Sequence, residues 1–143
     1  MNALWLPARS PALRWLGILW FASALIWLSL EDRHLLTVIA LGTGGALLLV
    51  STQTLRFIGG RALRLAVSMP AAILYGAGVG LGAALLSALL MLLKVGMHAH
   101  AIPDYTPIQI IGVLERAPIW ALAGALIATG LLLARLAITQ EPR

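Results

Sequence analysis

The sequence predicts an all-α integral membrane protein, a compact bundle of four transmembrane helices with a short interfacial amphipathic helix between helices three and four. Hydrophobic residues make up 61% of its 143 residues and charged residues only 10%, whereas about a quarter of a soluble domain is charged. So short a soluble chain cannot bury that much apolar side chain. The apolar residues also form four runs of roughly the length that a spanning helix needs. Residues 1–143 are therefore interpreted as a single transmembrane domain.

The first two spans are predicted to form an antiparallel hairpin. Residues 12–30 make the first span, which is longer than the apolar core of a signal peptide and is not followed by a cleavage pattern, so we expect it to be retained. Residues 34–55 make the second span, directly after a short charged turn. Residues 56–64 follow as a basic loop that contains Gly59 and Gly60.

The third span is predicted at residues 69–93, although the charge-free run begins at Leu65 and exceeds the thickness of the hydrocarbon core. Pro70 suits the first turn of a helix, where a missing N–H costs nothing, so the helix start is placed near Met69. Lys94 ends the span, and its long side chain is expected to extend towards the lipid headgroups.

The largest polar stretch separates the third and fourth spans. In it, Thr106, Pro107 and Gln109 have the spacing of a capping box with proline at the first helical position. This predicts a helix at residues 107–116 that lies flat on the membrane. Its apolar face would contain Ile108, Ile111 and Leu114. The fourth span is predicted at residues 119–138.

Lys and Arg residues fall mostly on one side of the predicted membrane. The two termini and the 56–64 loop share that side, which contains Arg9, Arg14, Arg56, Arg61, Arg64, Arg135 and Arg143. The other side contains Arg33, Lys94, Arg116, Glu31, Asp32, Asp104 and Glu115. Because cytoplasmic loops are enriched in Lys and Arg, both termini are predicted to be inside, in a bacterial inner (plasma) membrane or an equivalent energy-transducing membrane. The scattered cations form no basic stripe, so no nucleic-acid partner is expected.

Glycines predict how the helices pack, because small residues let backbones approach closely in lipid. They lie on two faces of the third span and on one face of the second and of the fourth: Gly76, Gly78, Gly80, Gly82; Gly42, Gly45; and Gly124. The third helix is therefore expected to be central, with a seam that either packs inside the bundle or docks another subunit. The alternating glycines resemble the motif of the rotor-ring subunit of rotary ATP synthases, but four spans without a mid-membrane carboxylate are inconsistent with membership.

Three histidines and an aspartate are predicted to gather on the side away from the termini: His34, His98, His100 and Asp104. In an extended segment His98 and His100 would project the same way and could share a transition metal such as zinc or copper. A single imidazole could also bind the iron of haem or the magnesium of chlorophyll. The alternative, which we favour, is that these residues cap helix ends and bind no cofactor.

The sequence lacks the signatures of several kinds of chemistry. It has no cysteine, nucleotide fingerprint or zinc-protease motif, and no ionisable residue at the centre of a span. We therefore expect no enzyme but an accessory or assembly subunit of a larger respiratory or photosynthetic membrane complex, with lipid and other subunits as partners. Two hypotheses stay open beside it: a haem-, chlorophyll- or metal-binding subunit, and a channel or carrier for small uncharged solutes. The hydroxyls expected along such a path belong to Ser51, Thr52, Thr54, Ser87 and Thr129.

Overall fold

A computed structural model describes residues 3–5, 11–98 and 103–138, most of which are helical. The helices are α1 (Pro11–Ser29), α2 (Leu35–Ile58), α3 (Leu65–Met97), α4 (Pro107–Glu115) and α5 (Ala117–Ile138). Four of them, α1, α2, α3 and α5, are long and apolar enough to cross a membrane. The predicted all-α class is confirmed, and so is the presence of four helices of spanning length.

The start of α3 differs from the prediction. The helix begins at Leu65 rather than near Met69, so Pro70 lies inside it. A proline at this depth removes one backbone hydrogen bond, the one to the carbonyl four residues earlier. The missing bond lies near the beginning of the helix, so the hydrogen bonds of the later turns are unaffected. The helix therefore continues through the proline to Met97.

A short antiparallel pairing precedes α3. The strands β1 (Ala3–Trp5) and β2 (Ala62–Arg64) pair in register, with Ala3 opposite Arg64 and Trp5 opposite Ala62. Strands of three residues are too short to show an alternating pattern, which is why the sequence did not predict them. The pairing joins the segment before α1 to the residues that lead directly into α3.

The spanning helices are arranged as a row with α3 in the middle. Helix α3 packs against α2 on one side and against α5 on the other, α1 lies beside α2, and α4 packs on α3. In the part of the chain that the structure describes, no Cα atom of α2 lies within 8 Å of one in α5. The central position of α3 agrees with the prediction, whereas the bundle is less compact than predicted because its outer helices do not close around α3.

The two glycine faces of α3 lie against different helices. A Cβ atom at Gly76 would overlap the backbone of Gly124, and one at Gly80 would overlap the backbone of Trp120, so this face lies directly on α5. On the other face, a Cβ atom at Gly82 would come within 3.2 Å of the Ala46 Cβ in α2. Gly78 has more room on the same side, with Val50 as its nearest neighbour.

Glycines of α2 allow side chains of both neighbouring helices to pack closely against its backbone. Gly42 lies against Ser87 of α3, and Gly45 lies against the indole of Trp20 in α1. The Trp20 Nε1 also donates a hydrogen bond of 2.8 Å to the Leu41 carbonyl. This bond attaches α1 to α2 within a region where few other polar groups exist.

Helix α4 begins with the predicted capping box. The Thr106 backbone N–H donates a 2.8 Å hydrogen bond to the Gln109 side-chain oxygen, and Pro107 is the first helical residue. Ile110 and Val113 are buried against the rest of the protein. The other face, which was predicted to contact the membrane, is not covered by the protein. It contains the exposed side chains of Ile108, Ile111 and Leu114.

The protein has two chemically different ends. We call the end with exposed arginines of α1, α2 and α5 the basic end: Arg14, Arg56 and Arg135. The opposite end, which contains the α1–α2 connection and the residues before α4, is the acidic end. The largest fully buried side chains concentrate towards the acidic end and include Val38, Met91, Lys94, Tyr105 and Val113.

Candidate functional site

Polar groups from three segments meet at the acidic end. They come from the end of α1 and the connection to α2, from the end of α3, and from the residues that precede α4. We call them the polar cluster, which comprises Trp27, Asp32, Arg33, His34, Lys94, His98, Asp104 and Tyr105. The segments are brought together because α1, α3 and the residues before α4 all reach this end of the row.

Lys94 lies at the centre of the polar cluster. Its side chain is fully buried, and its Nζ donates hydrogen bonds of 2.6 Å to the Asp32 carbonyl and 3.2 Å to the Trp27 carbonyl. The Nζ also lies 4.0 Å from the centre of the Trp27 ring, which is a cation–π distance. The prediction that Lys94 extends towards the headgroups is therefore wrong. The ammonium instead binds one carbonyl in the last turn of α1, that of Trp27, and one in the connection after α1, that of Asp32.

Asp32 holds the connection between α1 and α2 in shape. Its Oδ1 accepts a 2.9 Å hydrogen bond from the His34 backbone N–H, and its Oδ2 accepts one of 3.0 Å from the Trp27 Nε1. The bond from the His34 backbone, followed by one from the Thr37 side chain, lowers the pKa of the Asp32 carboxyl below its ordinary value. The carboxylate is thus ionised at neutral pH.

Asp104 joins the connection between α1 and α2 to the end of α3. Its carboxylate oxygens lie 3.2 Å from the Arg33 Nε and 3.2 Å from the His98 Nδ1. The side chain of Asp104 is only 3% exposed, whereas that of Arg33 is 54% exposed. Because the carboxylate is buried while the guanidinium is not, the aspartate needs both neighbours to compensate its lost hydration.

Tyr105 closes the polar cluster from the side of α4. Its side chain is buried, and its hydroxyl lies 3.5 Å from the His34 carbonyl, to which it donates. Burial, together with the negative charges of Asp32 and Asp104, raises the pKa of the Tyr105 hydroxyl to about 12. The hydroxyl is therefore protonated, and available as a donor, throughout the physiological range.

The raised pKa of Tyr105 predicts a loss of stability at alkaline pH. The folded protein holds this proton more tightly than the unfolded chain, so the contribution is complete below the ordinary value of 10.0 and is lost as pH rises through about 12. We expect the tyrosinate absorbance of a Tyr75→Phe variant, read immediately after a pH jump, to have its midpoint near pH 12. A midpoint near pH 10 would show that Tyr105 is exposed to solvent.

The structure brings together some of the residues that were considered as alternative ligands of a metal or porphyrin. His98 and Asp104 are in contact, whereas the His34 side chain is exposed and contributes its backbone carbonyl to the cluster. His100 lies outside the described residues. Among the residues that are described, no three His, Cys, Asp or Glu side chains are close enough to hold a metal ion. What the geometry shows at this end is a set of groups that connect the segments to one another.

A groove near the basic end is the second candidate site. Helix α3 forms its floor, α2 and α5 form its walls, and its volume is about 570 Å³. The floor and the α5 wall are smooth because they contain small residues, namely Ala71, Ala72, Gly76, Gly124 and Ala128. This groove exists because α2 and α5 do not meet across α3.

The groove wall contains one internal hydroxyl pair. The Ser51 and Tyr75 hydroxyls lie 2.8 Å apart and share a hydrogen bond. Ser68 is buried at the groove, and Arg135 lines its end. The remaining lining residues are almost all aliphatic. A ligand in the groove would therefore meet hydrocarbon along most of its length and a cation at one end.

The hydroxyls expected along a solute path do not share one cavity. Ser51 and Thr54 line the groove, whereas Ser87 is buried between α3 and α2 and lies 3.4 Å from a carbonyl of α2. Thr52 and Thr129 each donate to a carbonyl one turn earlier in their own helix. Two of the side chains therefore make hydrogen bonds within their own helix, and two others make hydrogen bonds to a neighbouring helix.

No known protein family matches this sequence, and no curated protein or solved structure shows significant similarity to it. The fold by itself defines the class, a small helical protein with four helices suited to span a membrane. The polar cluster, the groove and the outer surface of the helices are the features from which a function follows.

Proposed function

We propose that this protein is a non-catalytic accessory or assembly subunit of a larger membrane complex. Its basic end would face the cytoplasm, as the distribution of Lys and Arg favours, in a bacterial inner membrane or an equivalent energy-transducing membrane. The observation that supports the proposal most is the surface of α5, of whose residues only Ala117 and Leu132 are buried.

The polar cluster supports this proposal by what its groups do. Lys94 binds backbone carbonyls, Asp32 binds a backbone N–H and an indole, and Asp104 lies between Arg33 and His98. These contacts all connect one part of the chain to another. A cluster built in this way stabilises the acidic end, and catalysis would require polar groups directed at a substrate instead.

The outer face of α5 supports the proposal by its shape. Small residues recur along it at helical spacing, and all are exposed: Ala123, Gly130, Ala134 and Ala137. A Cβ atom at Gly130 would meet nothing within 4 Å. Among the described residues, helix α5 packs on α3 and α4 only, which leaves this face open to them along its length. In lipid, small residues at a helix surface allow another helix to approach closely, and we assign this face to a transmembrane helix of a partner subunit.

The test of this proposal adds bulk to the open face of α5. A Gly130→Leu variant is expected to fold normally but to lose at least about tenfold of the co-purifying partner, because the leucine separates the two backbones. The measurement is native electrophoresis and mass spectrometry of the tagged chain, extracted from its own membrane in mild detergent.

A matched control adds the same bulk elsewhere. Ala22→Leu enlarges an exposed position of α1 and is expected to retain the partner. Recovery of the parent protein as an isolated 15.1 kDa chain would refute the proposal. Equal partner recovery from the Gly130→Leu and parent proteins would exclude the α5 face as the contact.

A further inference from the structure

The groove between α2 and α5 extends through about half of a bilayer. Its lining residues come from segments 47–58 of α2, 68–79 of α3 and 124–135 of α5. Each segment rises about 17 Å at the helical rise per residue, while half of a typical hydrocarbon core is about 15 Å. The length of the groove therefore corresponds to one leaflet, the leaflet at the basic end.

The volume of the groove indicates what kind of molecule fits it. The groove measures about 570 Å³. The volume lies within the range of sites for single small molecules, about 300–1,000 Å³. A single extended hydrocarbon chain is a ligand of this size class.

The lining of the groove favours hydrocarbon as well. Its Ser51 and Tyr75 hydroxyls share a hydrogen bond with each other, and most of the other lining residues are aliphatic. The groove is open at the side, between the exposed Leu47 of α2 and the exposed Ile127 and Leu131 of α5. In a membrane such an opening faces lipid, from which a chain can enter directly.

The positive charges at the basic end of the groove favour a ligand with an anionic headgroup. Arg135 lines the groove at the basic end, and Arg56 is exposed at the same end of α2. The acidic residues that the structure describes all lie at the other end. The first turn of α3 also begins here, and a helix N-terminus favours an anion. A guanidinium binds phosphate through paired hydrogen bonds.

We propose that the groove binds one anionic phospholipid, with an acyl chain between α2 and α5 and its phosphate at Arg135. The inference does not depend on the partner subunit, because the groove and the outer face of α5 are different surfaces. In this proposal the lipid is a bound component of the fold, and it fills the space that is left because α2 and α5 do not meet.

The test uses the full chain in detergent, with phosphatidylglycerol as the anionic probe and phosphatidylcholine as its zwitterionic counterpart of zero net charge. Native mass spectrometry is expected to find one phosphatidylglycerol retained per chain after delipidation. Arg135→Gln should lower retention of phosphatidylglycerol about tenfold, the effect of losing one charge-assisted contact. Ala72→Leu, which extends a side chain into the groove, should reduce retention of both lipids.

Two controls match these variants. Arg14→Gln removes an exposed arginine at the same end that does not line the groove, and Ala40→Leu enlarges an exposed position of α2 outside it. Both should retain phosphatidylglycerol as the parent does. Equal retention by Arg135→Gln and Arg14→Gln would overturn the proposal, and this comparison remains decisive if Ala72→Leu fails to fold. Recovery of a second protein copy in the groove, lost in Ala72→Leu, would overturn it in favour of a protein interface.

The lipid proposal and the partner proposal can be tested independently of each other. Gly130→Leu should leave phosphatidylglycerol retention unchanged, and Arg135→Gln should leave partner recovery unchanged. Loss of both properties in either variant would contradict the assignment of two independent surfaces.

Discussion

Replacing Gly124 with leucine is expected to separate α5 from α3 and to lower the free energy of unfolding by more than about 3 kcal/mol, above the usual cost of overpacking. Any Cβ atom at this position would overlap the carbonyl of Gly76. A flexible side chain could move aside, but two helix backbones cannot without parting. Because α5 rests mainly on α3, its displacement removes most of its contacts. Thermal unfolding in detergent, followed by circular dichroism and gel filtration, measures the loss.

A matched control exists on the same helix. Gly130→Leu introduces the same side chain into open space, so helix propensity changes equally but no backbone overlap arises. We expect this variant to unfold within a few degrees of the parent protein. If Gly124→Leu were as stable as Gly130→Leu, the close approach of α3 and α5 would be wrong. The groove would then lose its α5 wall as well.

Features that depend on neighbouring residues were predictable from the sequence. The four apolar runs predicted four helices of spanning length, and Thr106 with Gln109 predicted the capping box that begins α4. The spacing of Gly76 and Gly80 predicted a smooth helix face, because residues four apart lie on the same side of a helix. In each of these cases the cause and its effect lie within one helical segment.

Features that depend on which segments meet were not predictable in the same way. His98 and Asp104 could be assigned to the same side of the membrane, but their contact depends on the path between α3 and α4. The groove depends on α2 and α5 lying on opposite sides of α3. A small-residue pattern indicates that a helix packs closely, yet it does not identify the neighbouring helix. Pro70 was placed in the first turn because the sequence contains no signal for the earlier start of α3.

The contacts of Lys94 also depend on which segments meet, so the sequence alone did not predict them. At the end of an apolar run, a lysine usually extends towards the headgroups. Here the last turn of α1 and the connection after it pass close to the end of α3, and each presents one carbonyl to the ammonium. Only the arrangement of α1 relative to α3 distinguishes these outcomes, and the sequence near Lys94 does not contain it.

Lys94→Met is expected to lower the free energy of unfolding by about 2–4 kcal/mol. The methionine retains much of the buried volume but donates no hydrogen bond, so the carbonyls of Trp27 and Asp32 lose a charged donor that contributes about 1.5–3 kcal/mol per bond. Part of that loss is offset because the ammonium no longer has to be desolvated. Hydrogen exchange should also increase in the connection between α1 and α2, since this is the segment that the lysine holds.

Arg116→Met provides the matched control for Lys94→Met. It removes a cation from the same end of the protein, but one whose side chain is exposed, so the expected cost is at most about 1 kcal/mol. A larger effect at Lys94 than at Arg116 would show that burial and carbonyl binding, rather than charge alone, stabilise the acidic end. Equal effects would mean that Lys94 extends into the headgroup region after all, and that the polar cluster does not hold α1 to α3.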